Sequence, residues 1–113
     1  MIRQISPAEL KGRLDAGQSD PPDAAAPYLL DVREPREFDY CRIEGSVSIP
    51  LGQIPARAGE LPDDREIIAI CHHGARSMRA AMFLQQSRGL EVINLQGGVA
   101  AWADQVEPSM KRY

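Results

Sequence analysis

The chain has 113 residues, 43% hydrophobic and 26% charged, with nine glycines and nine prolines; this excludes the disordered, collagen-like and coiled-coil classes and fits one domain over residues 1–113. Thirteen lysines and arginines against sixteen aspartates and glutamates give a net charge of −3 with no basic block, which argues against nucleic-acid binding and leaves room only for a local anion site. No stretch approaches the roughly 20 apolar residues of a membrane span, and Met1 to Pro7 has no apolar leader core, so a cytoplasmic, reduced protein is expected, with Cys41 and Cys71 as free thiols.

Ser6-Pro7-Ala8-Glu9 reads as a capping box with proline at the first helical position. A first helix is predicted to start there, to present Leu10 and Leu14 on one face and to stop at Gly17. Gln18 to Pro27 holds three prolines and no apolar period, the pattern of a surface loop. Tyr28 to Val32, Glu66 to Ile70 and Glu91 to Leu95 are short, nearly continuous apolar runs, as expected of strands buried on both faces of a parallel sheet. Ser46 to Ile49 adds an edge strand before Pro50. Ser77 to Arg88 predicts a helix with Ala80, Ala81 and Leu84 on one face beside Met78 and Met82, all read as core, and Gly89 as its stop. Val99 to Ala103 after Gly97-Gly98 reads as a last short helix. Alternating elements with right-handed crossovers predict an α/β domain with a mostly parallel sheet.

The segment Cys71-His72-His73-Gly74-Ala75-Arg76-Ser77 falls between a predicted strand and a predicted helix. In an open parallel sheet, ligands bind beyond the carboxyl ends of the strands, where the next helix offers unpaired N–H groups and the positive end of its dipole. A cysteine there is expected to be acidified, Gly74 to let the chain curl so that successive amides point inward, and Arg76 to add a positive charge. Lowering a thiol pKa from about 8.5 to about 6.5 raises the thiolate fraction at pH 7 roughly 24-fold. The accompanying loss of intrinsic nucleophilicity takes back about 6- to 10-fold. The amides therefore matter chiefly as preorganised donors for an anionic substrate and for the charge on a modified sulfur. Nucleophilic attack by Cys71 on an anionic small molecule is the predicted chemistry.

Cys41 reads as a passive thiol, with a resolving cysteine as the alternative. His72 and His73 do not read as a metal site, because adjacent side chains in a tight turn rarely aim together and no fourth ligand has usable spacing; they are expected to face outward and select an acceptor. Arg76 is expected to combine ion pairing with anion holding. Asp31 and Arg33 read as scaffolding, Asp31 fixing the loop by hydrogen bonds and Arg33 pairing with Glu37. Trp102 reads as core.

Cys71 to Ser77 resembles the C-x-x-G-x-R-S active loop of rhodanese-like sulfurtransferases. Asp31-Val32-Arg33-Glu34 with Glu37-Phe38 is similar to that family's D-V-R-x-x-x-E-[FY] segment. Ile43-Glu44-Gly45-Ser46-Val47-Ser48-Ile49-Pro50 is similar to I-x-G-A-x-N-I-P, and Gly97-Gly98-Val99-Ala100-Ala101-Trp102 to G-G-x-x-x-W. The four stand in family order. Departures are Cys41-Arg42 for the usual Gly-His, Ser46 for Ala and Ser48 for Asn, none of them in the Cys71 loop.

The resemblance implies a rhodanese-like α/β fold, a small, mostly parallel sheet flanked by helices on both faces. It also implies a two-step sulfur transfer by covalent catalysis, with no metal and no organic cofactor. Cys71 would take a sulfur atom from thiosulfate or a persulfide donor and pass it to cyanide or a thiol, a protein thiol included. His72, His73, Gly74, Ala75, Arg76 and Ser77 would bind the substrate, and Asp31 and Arg33 would support them; neither nucleic acid nor membrane is an expected partner. The alternative is a persulfide-relay or regulatory binding module without turnover, against which the intact Cys71, Gly74 and Arg76 speak. Cysteine-dependent phosphatases and arsenate reductases carry a longer C-x5-R loop, whereas Arg76 follows Cys71 after four residues.

Overall fold

The computed structural model describes residues 2–17 and 26–113. Five strands, β1 (Arg3–Ile5), β2 (Tyr28–Asp31), β3 (Val47–Ser48), β4 (Ile67–Ile70) and β5 (Val92–Leu95), form one sheet in the order β1-β5-β4-β2-β3. Every neighbouring pair is parallel. The helices are α1 (Pro7–Gly17), α2 (Pro35–Tyr40), α3 (Ile54–Arg57), α4 (Ala75–Arg88) and α5 (Gly98–Gln105), with 3₁₀ turns at Leu51–Gln53 and Ala58–Glu60. No helix among the described residues is long and apolar enough to cross a membrane. The predicted proline loop lies, apart from Ala26 and Pro27, outside the described residues.

Strand alternation sorts the apolar runs into two cores. Leu30, Ile67, Ala69 and Val92 face Ala80, Ala81 and Leu84 of α4 together with Ile54, Ala58 and Leu61. Leu29, Ile68, Ile70, Ile93 and Leu95 face Leu10 of α1 and Val99, Trp102 and Ala103 of α5. Helices thus cover both faces, which is why the strand sequences read as continuous rather than alternating. Each fully buried Leu or Ile contributes roughly 1.5–3 kcal/mol of transfer free energy.

The Ser6 capping box is present in both directions, Glu9 N–H to Ser6 Oγ and Ser6 N–H to Glu9 Oε1, each at 3.1 Å. Helix α4 begins two residues before its predicted start, because Gly74 in the left-handed region already serves as its N-cap. Its buried stripe is Ser77, Ala80, Ala81 and Leu84. The expectation that Met78 and Met82 belong to the core is corrected: Met82 is 47% exposed and Met78 half-buried. The i, i+3, i+4, i+7 stripe starting at Ser77 fills the helix–sheet contact and leaves the Met78/Met82 row on its flank.

Three elements went unpredicted, each for want of an apolar period. Strand β1 pairs with β5 in the register Arg3↔Ile93, Gln4↔Asn94, Ile5↔Leu95, and only Ile5 is buried. Helix α2 buries none of its residues, and α3 buries only Ile54. Because all five strands are parallel, their carboxyl ends share one edge of the sheet, and β2, β4 and β5 deliver Asp31 to Arg33, Cys71 to Ser77, and Gly97-Gly98 to it.

Candidate active site

Cys71 follows the last residue of β4 and is 1% exposed. Gly74, at φ +108°, turns the chain back so that its N–H donates to Cys71 Sγ at 3.0 Å, and Ser77 Oγ lies 3.3 Å from the same sulfur. The sulfur therefore sits at the N-terminus of the 14-residue α4, where unpaired amides and the helix dipole favour negative charge. The loop is held from outside by α5, whose Val99 N–H donates to the Cys71 carbonyl at 2.9 Å and Ala100 N–H to the His72 carbonyl at 3.1 Å. This contact requires glycine at 98, where φ is +60° and a methyl group would overlap both carbonyl oxygens.

Cys71, Gly74 and Ser77 thus converge on one atom. His72, His73, Ala75 and Arg76 form the rim. His73 and Ala75 are exposed, while the half-buried His72 ring lies 4.0 Å from His73 and stacks on Tyr113 at 4.0 Å and 15°. Burial and the neighbouring His73 hold the His72 pKa below its ordinary value. Among the described residues no group of three or more histidines, cysteines or acids is placed to hold a metal ion.

Arg76 is fully engaged by α2. Its Nη1 and Nη2 meet Glu37 Oε1 at 2.7 Å and Oε2 at 3.0 Å, a bidentate pair. Glu37 also accepts Glu34 N–H at 3.0 Å and Tyr113 O–H at 2.8 Å. The Arg76 guanidinium, against the opposing effect of burial, holds the Glu37 carboxyl down at about 2, and Glu37 in turn raises the Arg76 pKa. A carboxyl depressed in the fold stabilises it above its unfolded value of about 4.3 and loses that contribution as pH falls toward 2. Glu37→Gln is therefore expected to lower the urea midpoint at pH 7 and to flatten the decline between about pH 5 and pH 2. An unchanged acid decline would contradict the pairing.

The expected pairing of Arg33 with the Glu37 carboxylate is corrected. Arg33 and Asp31 stand two apart on the extended chain leaving β2, so their side chains point the same way, and they pair with each other at 2.7 Å with neither side chain exposed. Asp31 also accepts Arg33 N–H at 3.0 Å, fixing this turn rather than the Cys71 loop. Arg33 reaches Glu37 only through its backbone carbonyl, and the Cys41 carbonyl at 2.6 Å and Tyr113 Oη at 2.9 Å complete its shell. Burial opposes the charge on Arg33, but the bonds to Asp31 and Tyr113 outweigh it and raise its pKa. Burial, reinforced by acceptance at Glu37, pushes the Tyr113 hydroxyl up to about 12.

Two residues at the site, Tyr113 and Asn94, escape the sequence reading, and a third, Glu37, is assigned by it to the wrong arginine. Tyr113 carries no local signal at all. Asn94, 2% exposed and bonded to Ser77 and to the Gly74 carbonyl, could have been found, since an amide inside a buried apolar strand must have partners.

The family model of the rhodanese-like domain matches residues 6–105. The chain belongs to the rhodanese-like domain family. It is 36% identical over 103 residues to a sulfurtransferase of Allochromatium vinosum, covering 91% of this chain and 90% of that protein. It is 36% identical over 111 residues to the probable adenylyltransferase/sulfurtransferase MoeZ of Mycobacterium tuberculosis, covering 96% of this chain but only 26% of that protein, and so spans about a quarter of that relative's length. The crystal structure of a rhodanese-related protein from Thermoplasma volcanium matches with a TM-score of 0.80 at 32% identity, over 94% of this chain and 95% of that one. Three of the four rhodanese-like segments meet at the carboxyl edge of the sheet; the fourth, Ile43 to Pro50, carries the edge strand β3 and buries Ile43 and Ile49.

Proposed function

We propose that this rhodanese-like chain acts as a sulfurtransferase, one domain over residues 1–113 working in the cytoplasm with Cys71 as nucleophile. The observation that carries the reading is the position of Cys71 Sγ at the start of α4, with Gly74 N–H already donating to it at 3.0 Å. The names of its sulfurtransferase relatives support the same class.

Cys71 thiolate attacks the outer sulfur of thiosulfate, the S–S bond breaks, and sulfite leaves with the electron pair, so the negative charge ends on a Cys71 persulfide. Cyanide or a thiolate, free or on a protein, then attacks the terminal sulfur, forming thiocyanate or a new persulfide and returning Cys71 as thiolate. The backbone amides of the loop His72 to Ser77 cradle the anion, while Asp31 and Arg33 support them indirectly, holding the turn after β2 and the end of α2, whose Glu37 carboxylate fixes Arg76. Catalysis is covalent, with donors set in advance where the charge appears. The Arg76 fork is occupied by Glu37 on both terminal nitrogens, which favours sulfur transfer over phosphoryl chemistry, where an arginine fork must meet the phosphate.

Reduced protein incubated with thiosulfate is expected to gain one sulfur atom by intact mass. The gain should vanish in Cys71→Ser, persist in Cys41→Ser and reverse with dithiothreitol. No added sulfur from thiosulfate or from a persulfide donor would overturn the assignment.

A further inference from the structure

Asn94 is buried in the middle of β5, between the two apolar residues Ile93 and Leu95. Its amide orientation is fixed: Nδ2 donates to Gln4 Oε1 at 3.1 Å and to the Gly74 carbonyl at 3.2 Å, leaving Oδ1 to accept from Ser77 Oγ at 2.5 Å. The reverse orientation would set Oδ1 against a carbonyl that can only accept. Ser77 Oγ carries one proton and has three acceptors in reach, Asn94 Oδ1 at 2.5 Å, the Gly74 carbonyl at 3.2 Å and Cys71 Sγ at 3.3 Å. The shortest contact takes the proton, so Ser77 turns a lone pair toward the sulfur. A thiol accommodates that lone pair by donating its S–H to it. A thiolate or a terminal persulfide does not, because two electron-rich atoms would then face each other in a buried site.

We propose that Asn94 is a positioning residue that acts on Cys71 through Ser77, holding the hydroxyl proton off the sulfur while Cys71 is a thiol and releasing it when the sulfur is charged. The thiol proton leaves to a buffer base, and the Ser77 O–H rotates about its Cβ–Oγ bond from Asn94 Oδ1 to Sγ. No proton passes between the two residues. Gly74 N–H and Ser77 O–H then share the charge, while Asn94 keeps its bonds to Gln4 and Gly74. Asn94 therefore competes with the charged sulfur for one proton, and removing it should favour the charged state. The inference rests on Cys71 as the reactive thiol, but its test needs no sulfur transfer, so it stands or falls separately from the proposed activity.

The test follows the rate of iodoacetamide alkylation of Cys71 against pH by intact mass, in a Cys41→Ser background. Asn94→Leu is expected to move the midpoint down by about one pH unit, the size of one hydrogen bond to a charged group. Asn94→Ala, which removes the acceptor without adding bulk, should move it the same way if the leucine variant folds poorly. In a Ser77→Ala background the Asn94 substitution should leave the midpoint where Ser77→Ala puts it, since coupled residues lose their effect together. In unsubstituted protein the Asn94 side-chain amide resonances should titrate with the alkylation midpoint. A midpoint that stays or rises in both Asn94 variants, a downward shift that persists without Ser77, or amide resonances flat through the midpoint would each overturn the proposal.

Discussion

Gly98→Ala is expected to cut the proposed sulfur transfer at least about 100-fold, the order of loss seen when reacting groups are displaced by about 1 Å, and to destabilise the fold by about 1–3 kcal/mol. The new methyl group would overlap the Cys71 and His72 carbonyl oxygens and lie 2.6 Å from the His72 carbonyl carbon. These atoms are backbone and cannot swing aside as a flexible side chain would. The backbone itself is at φ +60°, which alanine adopts only with strain. Relief must come by sliding α5 off the loop, which breaks the Val99 and Ala100 bonds, or by pushing the loop toward α4, which moves Sγ against Gly74 N–H and Ser77. The measurement is the initial rate with thiosulfate and cyanide beside a urea melt. A variant within threefold of the parent rate would mean that α5 does not hold the loop.

Arg33→Leu is expected to cost about 3–5 kcal/mol, because it strands the fully buried Asp31 carboxylate without a counter-charge. It also removes the cation from the carbonyls of Glu37 and Cys41 at the end of α2, a helix that buries nothing of its own and leans on this guanidinium. Loosening α2 frees Glu37, and through it Arg76. Asp31→Leu/Arg33→Leu should recover part of the loss, since removing both charges leaves no orphan. Urea denaturation of the single and double variants reads this directly. A single-variant loss below about 1 kcal/mol would show that the carboxylate finds water or another donor.

The parts of this fold that were legible in sequence announce themselves locally. Ser6 to Glu9 carries both halves of a capping box, β2, β4 and β5 are apolar runs interrupted only by Asp31 and Asn94, and Cys71 to Ser77 places a thiol and a glycine at a strand–helix junction. Illegible parts depend on partners distant in sequence. Strand β1 shows only one buried residue, and its hydrogen-bonding partner lies at Ile93 to Leu95. Helix α2 has no apolar stripe and is held by its own acidic capping box and by Arg33. Pairing by type and nearness suggested Arg33 with Glu37, whereas the extended chain after β2 turns Arg33 onto Asp31 and leaves Glu37 for an arginine 39 positions away. Met82 is apolar by composition yet exposed, since sequence period alone does not say how wide the helix–sheet contact is.

The pairing of β1 with β5 sets the order in which the molecule can be completed. Arg3 meets Ile93 and Ile5 meets Leu95, so the strand synthesised first waits for the strand synthesised last. Closing so long a loop has an entropic cost that only the finished edge returns. On the ribosome β1 cannot dock until β5 has emerged, and the Gln4 bond to Asn94 cannot form before it does. Between its own docking on β4 and the arrival of β1, β5 offers an open row of amides and carbonyls to any neighbouring chain. The nascent protein is thus most exposed to mispairing at the moment just before its sulfur site is braced.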